Sequence, residues 1–211
     1  MARVIAIDGP SGSGKSSTSR RVGRALGFLH VDSGALYRIM TWQCLAQGVE
    51  TSDPAAVAAC AERVQVECRP ENGALAYYVD GEAPGARIRT PEINAHASPV
   101  ATVKAVRDRI TALLRGMTRY GDLVVEGRDI TTVVFPDSPA RFYLTASPEA
   151  RARRRQLEEV ATGVANQSAE AVKASLLARD AIDSTRAYAP LRKADGVLEI
   201  DSTQLTLDQV V

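Results

Sequence analysis

No run of apolar residues in this chain approaches membrane-spanning length. The first, Val4 to Ile7, is cut off at Asp8 and Gly9, so no signal-type stretch opens the sequence and a cytoplasmic location away from membranes is expected. Cysteine is scarce: Cys44, Cys60 and Cys68 are odd in number and lack metal-ligand pairing. That fits reduced thiols used as core filler better than a disulfide framework. The two histidines, His30 and His96, are isolated, Trp42 reads as core, and no spacing suggests a transition metal. There is no surplus of charge either. With 26 basic and 25 acidic residues the net charge is +1, so no global field draws the protein to nucleic acid or membrane, and any anion binding must be local. Internal repeats, low-complexity tracts and interdomain linkers are also lacking. What remains is a chain of 211 residues, 45% hydrophobic, sufficient for one main domain.

Strands and helices alternate along it. Residues 4–7 form a short apolar run, residues 9–14 carry three glycines, and Ser16 to Leu26 has helical character before Gly27. A second strand is predicted at 28–31 and a helix at 35–47, stopped by Gly48. Ser52-Asp53-Pro54 reads as a cap with proline at the first helical position, opening an alanine-rich helix to about Val64. Over 65–90 the character changes. Val64, Val66 and Cys68 alternate with polar residues, Ala74 to Val79 favours a strand, and Asn72-Gly73 and Asp80-Gly81 mark turns, which predicts a small antiparallel insertion. A helix is expected over 99–115, ended by Gly116, with Val103, Val106, Ile110 and Leu114 as its buried stripe. Leu123 to Val125 and Phe142 to Leu144 flank a loop at 127–139 and, with Val197 to Ile200, read as interior parallel strands. Helices are expected at 148–160 and 168–187, joined by a polar, glycine-containing loop, and a last helix should be starting where the sequence stops at Val211. The pattern predicts a doubly wound α/β sheet.

Gly9-Pro10-Ser11-Gly12-Ser13-Gly14-Lys15-Ser16 satisfies G-x-x-x-x-G-K-S between a predicted strand and helix, as that motif's mechanism requires. Its glycines let N–H groups turn inward on phosphate oxygens, and the helix start adds its positive dipole end. Lys15 then reaches the β- and γ-phosphates, and Ser16 ligates magnesium. Arg151, Arg154 and Arg155 share one predicted helix face, with Arg153 beside them. They suit either a mobile lid over transferring phosphates or a solvated basic face. Arg179, Asp183 and Arg186 share another face, with Asp183 able to pair with either arginine. Asp32 to Arg38 and Glu126 to Asp129 each follow a predicted strand, where open α/β sheets bind ligands, although each alone is equally a cap or turn.

Taken in order, G-P-S-G-S-G-K-S, D-S-G-A-L-Y-R at 32–38, G-R-D at 127–129, V-V-F-P-D at 133–137 and R-x-x-x-D-x-x-R at 179–186 resemble the bacterial cytidylate kinases over nearly the whole chain. The resemblance implies a single kinase domain over 1–211, with a P-loop NTPase-type parallel sheet as core at 1–34, 98–146 and 188–211. It adds a nucleoside-monophosphate region at 35–97, enlarged by a small β insertion at 65–90, and an arginine-bearing helical lid at 148–187. It implies transfer of the γ-phosphoryl group of ATP to CMP or dCMP with magnesium, by a monomer that takes small nucleotides and no nucleic acid as partners. ATP would lie on Gly9, Pro10, Ser11, Gly12, Ser13, Gly14, Lys15, Ser16 and Ser17, with Ser16 on the metal. The acceptor phosphate would meet Arg38 and Arg128 beside Ser33 and Tyr37, with Arg186 close. Ser98, Arg107 and Asp129 would read the cytosine, and Arg179 and Asp183 the ribose. Lys15, Arg128, Arg154, Arg155 and Arg186 would be the catalytic set. The chain departs from the family's usual D-G-R-D at Glu126, whose carboxylate is one methylene longer.

Phosphoryl transfer needs positioning and charge neutralisation rather than covalent chemistry, so no general base is required. The rival readings are another small P-loop kinase, acting on a different nucleotide or on shikimate, and a nucleotide-binding switch, which the lack of an N-K-x-D segment disfavours. A third is an RNA-binding module built on the arginines at 151–155.

Overall fold

The computed structural model describes residues 2–161 and 168–211. Its elements, in order, are β1 (Val4–Asp8), α1 (Lys15–Leu26), β2 (Leu29–Asp32), α2 (Ser33–Ala46), α3 (Pro54–Arg63), β3 (Val66–Glu71) and β4 (Ala74–Val79). They continue with α4 (Pro91–Thr102), α5 (Lys104–Gly116), β5 (Leu123–Gly127), β6 (Ala140–Thr145), α6 (Pro148–Ala161), α7 (Ala169–Thr185), β7 (Leu198–Asp201) and α8 (Leu207–Val210). The polar loop predicted between α6 and α7 lies outside the described residues.

Local chemistry sets many of these boundaries. Asp53 accepts from the N–H groups of Ala55 and Ala56 ahead of Pro54, and Asp32 caps α2 by accepting from Ala35 N–H at 3.1 Å. Asn72 and Gly73, at φ 50° and 77°, make the two-residue turn that pairs β3 with β4. The predicted helix over 99–115 is instead two helices. Thr90 caps the first, its hydroxyl accepting from Ile93 N–H at 3.2 Å, with Pro91 at the first position and Pro99 inside the helix. Thr90-Pro91 is the true start, and Pro99 is an internal proline. Val103, extended at φ −73° and ψ 119°, divides α4 from α5. The stripe of Val103, Val106, Ile110 and Leu114 is buried as expected. Within the predicted loop at 127–139, residues Ile130–Val134 form a π-helical turn, closed by Phe135 N–H donating to Ile130 O at 2.7 Å.

All seven strands join one sheet in the order β3-β4-β2-β5-β1-β6-β7. Its neighbours are parallel except the β3–β4 pair. The antiparallel insertion is therefore continuous with the main sheet, since β4 adds to β2 at His30 and Ala74. Helices cover both faces. Leu36, Ile39 and Met40 of α2, Val57 of α3 and Ile110 and Leu114 of α5 pack with Val31, Leu123 and Val125 on one side. On the other, Ile7, Phe28, Val124 and Leu144 meet Val22 of α1 and Val210 of α8. Adjacent residues of β5 thus serve opposite cores, as the two-residue period of a strand dictates. The α6–α7 pair has a separate small cluster of Ala152, Val172 and Leu176. Among the described residues no helix is long and apolar enough to cross a membrane, and Cys44, Cys60 and Cys68 are free thiols.

β1 lies mid-sheet between β5 and β6, so the crevice beyond its C-terminal end is where a doubly wound sheet holds a ligand. Asp8 pairs opposite Tyr143, and Gly9 follows at φ 151° with no room for a side chain: a Cβ there would stand 1.9 Å from Leu144 O. Gly9→Ala is expected to cost about 3 kcal/mol, lowering Tm by roughly 6–12 °C. Thermal denaturation measures this, and an unchanged Tm would mean that the two strand ends part freely.

Candidate active site

Between β1 and α1 the glycine-rich loop turns around Lys15, which is buried with its Nζ donating to Pro10 O at 2.7 Å. Burial, and next the Arg128 charge, push the Lys15 pKa down to about 7 against the pull of Glu126, Asp8 and Asp180. Ser13 is also buried, and its Oγ has no hydrogen-bond partner. The arginines of α6 part company. Arg151 reaches Ser11 O at 3.1 Å and pairs with Asp180. Arg154 donates to Ser202 O at 2.6 Å and Ser202 Oγ at 2.9 Å, while Arg155 is held by Glu158 and Glu159. Arg153 is exposed. The single basic face therefore resolves into three destinations plus one solvated residue.

Across the cleft, Ser33 and Tyr37 stand at the start of α2, with Ser33 Oγ donating to Glu126 O at 2.6 Å. Arg38 donates to Asn94 Oδ1 at 3.5 Å. Burial works to raise the Asp32 pKa, but Arg38 and Arg89 outweigh it and hold the carboxyl below its ordinary range. Arg107 and Asp129 approach to 2.6 Å with only 4% of each side chain exposed. Arg107 Nη2 and Asp129 Oδ2 are the paired atoms, and Arg107 Nε has no hydrogen-bond partner among the described residues. The Arg107 guanidinium also lies 5.2 Å from the centre of the Tyr37 ring. Asp183 bonds Arg128 at 3.1 Å and Arg186 at 3.3 Å. Of the two pairings open to it along α7, Asp183 takes Arg186. Arg179 is left with an unpartnered Nε, and burial first, then Arg38 and Arg128, bring its pKa down to about 10.

Residues 11–17, Ser33, Tyr37, Arg38, Ser98, Arg107, Arg128, Asp129, Arg154, Arg155, Arg179, Asp183 and Arg186 line one cleft of about 450 Å³. Gly9 and Pro10 stand behind it. Ser202, Leu205, Leu207 and Val210 complete the wall near Arg154 and were not singled out from sequence, although their place after β7 put them at the ligand-binding edge. His30 is not isolated. Its Nε2 lies 3.3 Å from Glu126 Oε1, both side chains being buried, so the longer carboxylate has a partner on the neighbouring strand. His96 meets Thr51 Oγ1 at 2.6 Å. Asp8 accepts from Ile130 N–H at 2.9 Å, Thr131 N–H at 2.7 Å and Thr131 Oγ1 at 2.6 Å. It anchors the segment after Arg128-Asp129 to the residue before the loop. Burial raises its pKa to about 6, and the Thr131 hydrogen bonds oppose the shift.

A phosphate-cradling loop at the switch point of a doubly wound sheet, facing a cleft rich in arginine, defines a P-loop nucleotide-binding protein. The sequence profile of the family described as cytidylate kinase matches residues 5–211. A cytidylate kinase of Streptomyces avermitilis is 46% identical over 100% of this chain and 90% of its own length. One from Mycolicibacterium paratuberculosis is 44% identical, covering 99% and 91%. One from Shouchella clausii is 39% identical, covering 98% and 92%. The chain belongs to the cytidylate kinase family.

Lys15 makes ligand binding pH-dependent. Its folded pKa, about 7, lies below the ordinary 10.5, so burial of the ammonium opposes folding most below pH 7. That cost fades as pH rises from 7 to 10.5. A polyphosphate beside the amine reverses the preference and restores the charge. Binding of a nucleoside triphosphate at about pH 8 is therefore expected to take up protons, and affinity to fall as pH rises above 7. Calorimetry in buffers of different ionisation enthalpy checks this; no uptake in the wild type, or equal uptake in Lys15→Ala, contradicts it.

Proposed function

We propose that this chain transfers the γ-phosphoryl group of ATP to CMP or dCMP, releasing ADP and CDP or dCDP, as a monomeric cytoplasmic enzyme of pyrimidine nucleotide metabolism. The observation that carries the reading is the buried Arg107–Asp129 pair, an acceptor and a donor side by side in the wall of the cleft. Cytosine presents an amine donor beside the N3 and O2 acceptors. Asp129 takes the amine, and Arg107 with Ser98 meets the other edge. Family membership over residues 5–211 supports the same assignment.

ATP lies along the loop from Ser11 to Ser17, over the turn made by Gly9 and Pro10, with Lys15 at the β- and γ-phosphates and the base end against Leu205, Leu207 and Val210. The site suits magnesium: Ser16 offers a half-buried hydroxyl at the loop–helix junction. Among the described residues no cluster of three His, Cys, Asp or Glu is placed to grip a metal. A hydroxyl oxygen suits a hard cation whose other ligands are phosphate and water oxygens. When bound, magnesium neutralises charge on the transferring group. Arg38 and Arg128 take the acceptor phosphate with Arg186 near, Ser33 and Tyr37 line it, and Arg179 and Asp183 take the ribose. Arg154 and Arg155 close over the transfer and exclude water. The acceptor phosphate has a second pKa of about 6 and attacks as a dianion without a protein base. In this division of labour residues 1–34, 98–146 and 188–211 form the core, 35–97 hold the acceptor and 148–187 form the lid.

A coupled assay with CMP, dCMP, UMP, AMP and shikimate tests the substrate. CMP and dCMP are expected to be good acceptors. UMP puts a carbonyl against Asp129 and a proton on N3, a mismatch of about 1–3 kcal/mol per unsatisfied group, so its kcat/KM is expected to be roughly tenfold lower or worse. Asp129→Ala is expected to narrow that ratio by weakening CMP, and equal use of UMP by the wild type rules the pocket out. Arg154→Ala and Arg155→Ala are expected to lower kcat by about tenfold or more with little change in CMP affinity. Unchanged turnover in both confines these arginines to their structural contacts with Ser202, Glu158 and Glu159.

A further inference from the structure

We infer that Arg151 and Asp180 are positioning residues that shape the donor loop and tie it to the helix facing the acceptor, so that the two nucleotides bind cooperatively; this rests on the cytidylate reading above. The α6–α7 pair holds both backbone groups of Ser11. Its N–H donates to Asp180 Oδ1 at 3.2 Å, and its carbonyl accepts from Arg151 at 3.1 Å. The two side chains are ion-paired to each other, with only 6% and 16% exposed. Beneath this clamp the loop touches the helix backbone itself. At Gly12, φ 76°, a Cβ would meet Arg151 O at 3.1 Å and Arg151 Cβ at 3.2 Å. Arg151 is thus neither a solvated cation nor a group aimed at the transferring phosphate.

Asp180 and Asp183 lie three residues apart on α7 and share a face. Asp180 grips the donor loop, while Asp183 bonds Arg128 and Arg186 on the acceptor side. Less than one turn of helix therefore joins the two substrate sites. Among the described residues the α6–α7 pair has a buried cluster of just Ala152, Val172 and Leu176, so polar contacts rather than a large apolar seam fix its seat. An acceptor that engages Arg128 and Asp183 settles α7, and with it the frame of Ser11. The second nucleotide then binds a loop already ordered, and linkage makes the effect reciprocal. Arg151 has a second task, because Asp180 is an anion beside a phosphate site and its partner cancels that charge.

Calorimetry on the full chain tests this with a non-hydrolysable ATP analogue plus magnesium, with CMP, and with the analogue at saturating CMP. In the wild type CMP should tighten the analogue. In Asp180→Ala that factor should fall toward one, while CMP binding alone changes by less than about twofold. Arg151→Gln, which leaves the carboxylate uncancelled, should weaken the analogue by about tenfold, and Arg151→Lys should retain most of the coupling. Asp180→Asn, close in shape to the native side chain, serves in place of any variant that does not fold. Variants that lose both nucleotides equally, or keep the wild-type factor, overturn the coupling alone. A wild type that binds the analogue but not CMP overturns the cytidylate reading and the coupling with it.

Discussion

Repulsion among cations is the constraint this molecule must satisfy before any anion arrives. Eight arginines and Lys15 line the cleft against five carboxylates, in a chain whose total charge is +1. Two unit charges 4 Å apart interact by about 4 kcal/mol near a protein surface, so such a gathering cannot be left uncompensated. Two responses are visible. Some guanidinium groups are matched to carboxylates, as in Arg107 with Asp129 and Arg128 and Arg186 with Asp183. Others show the strain in their titration: burial first, and then neighbouring arginines, push Lys15 to about 7 and Arg179 to about 10. Both responses leave the cleft electropositive and ready for phosphates, with nothing left over on the rest of the surface.

The same economy divides the molecule mechanically. In the sheet, β1 is in register with β5 on one side and β6 on the other, and Asp8 locks the segment after Asp129 to the root of the loop. The loop and the Arg128-Asp129 segment are therefore held as one unit. The α6–α7 pair is attached differently, through charged and backbone contacts to Ser11, Ser202 and Arg128. Contacts of that kind can be exchanged for ligand contacts at little net cost, whereas a buried apolar interface cannot.

What was legible in the sequence was local. The glycine loop, the Asp53-Pro54 cap and the Asn72-Gly73 turn each specify backbone geometry within a few residues, and each appears where expected. The break at Val103 was not legible, because the apolar stripe runs through it and Pro99 imitates a helix start. Nor were the polar pairs that assemble the site. His30 with Glu126, Asp8 with Thr131 and Arg151 with Asp180 join residues 96, 123 and 29 positions apart. Helix-face spacing rules see only neighbours three and four apart, and these partners meet because parallel strands and packed helices bring them together. The motif resemblance named Asp129 and Asp183, and helix spacing offered the Asp183–Arg186 pair, but neither pointed to Asp8 or Asp180.

The insertion at 66–79 lengthened the sheet, and a longer sheet ends in another open row of backbone groups. β3, the strand that now forms that margin, carries Pro70, which has no N–H to offer, and the charged residues Glu67, Arg69 and Glu71. Pro70 and these charges discourage a further strand from adding on. The addition that buttresses the start of α2, where Tyr77 donates to Asp32 O at 3.1 Å, thus carries its own protection against fibrous stacking.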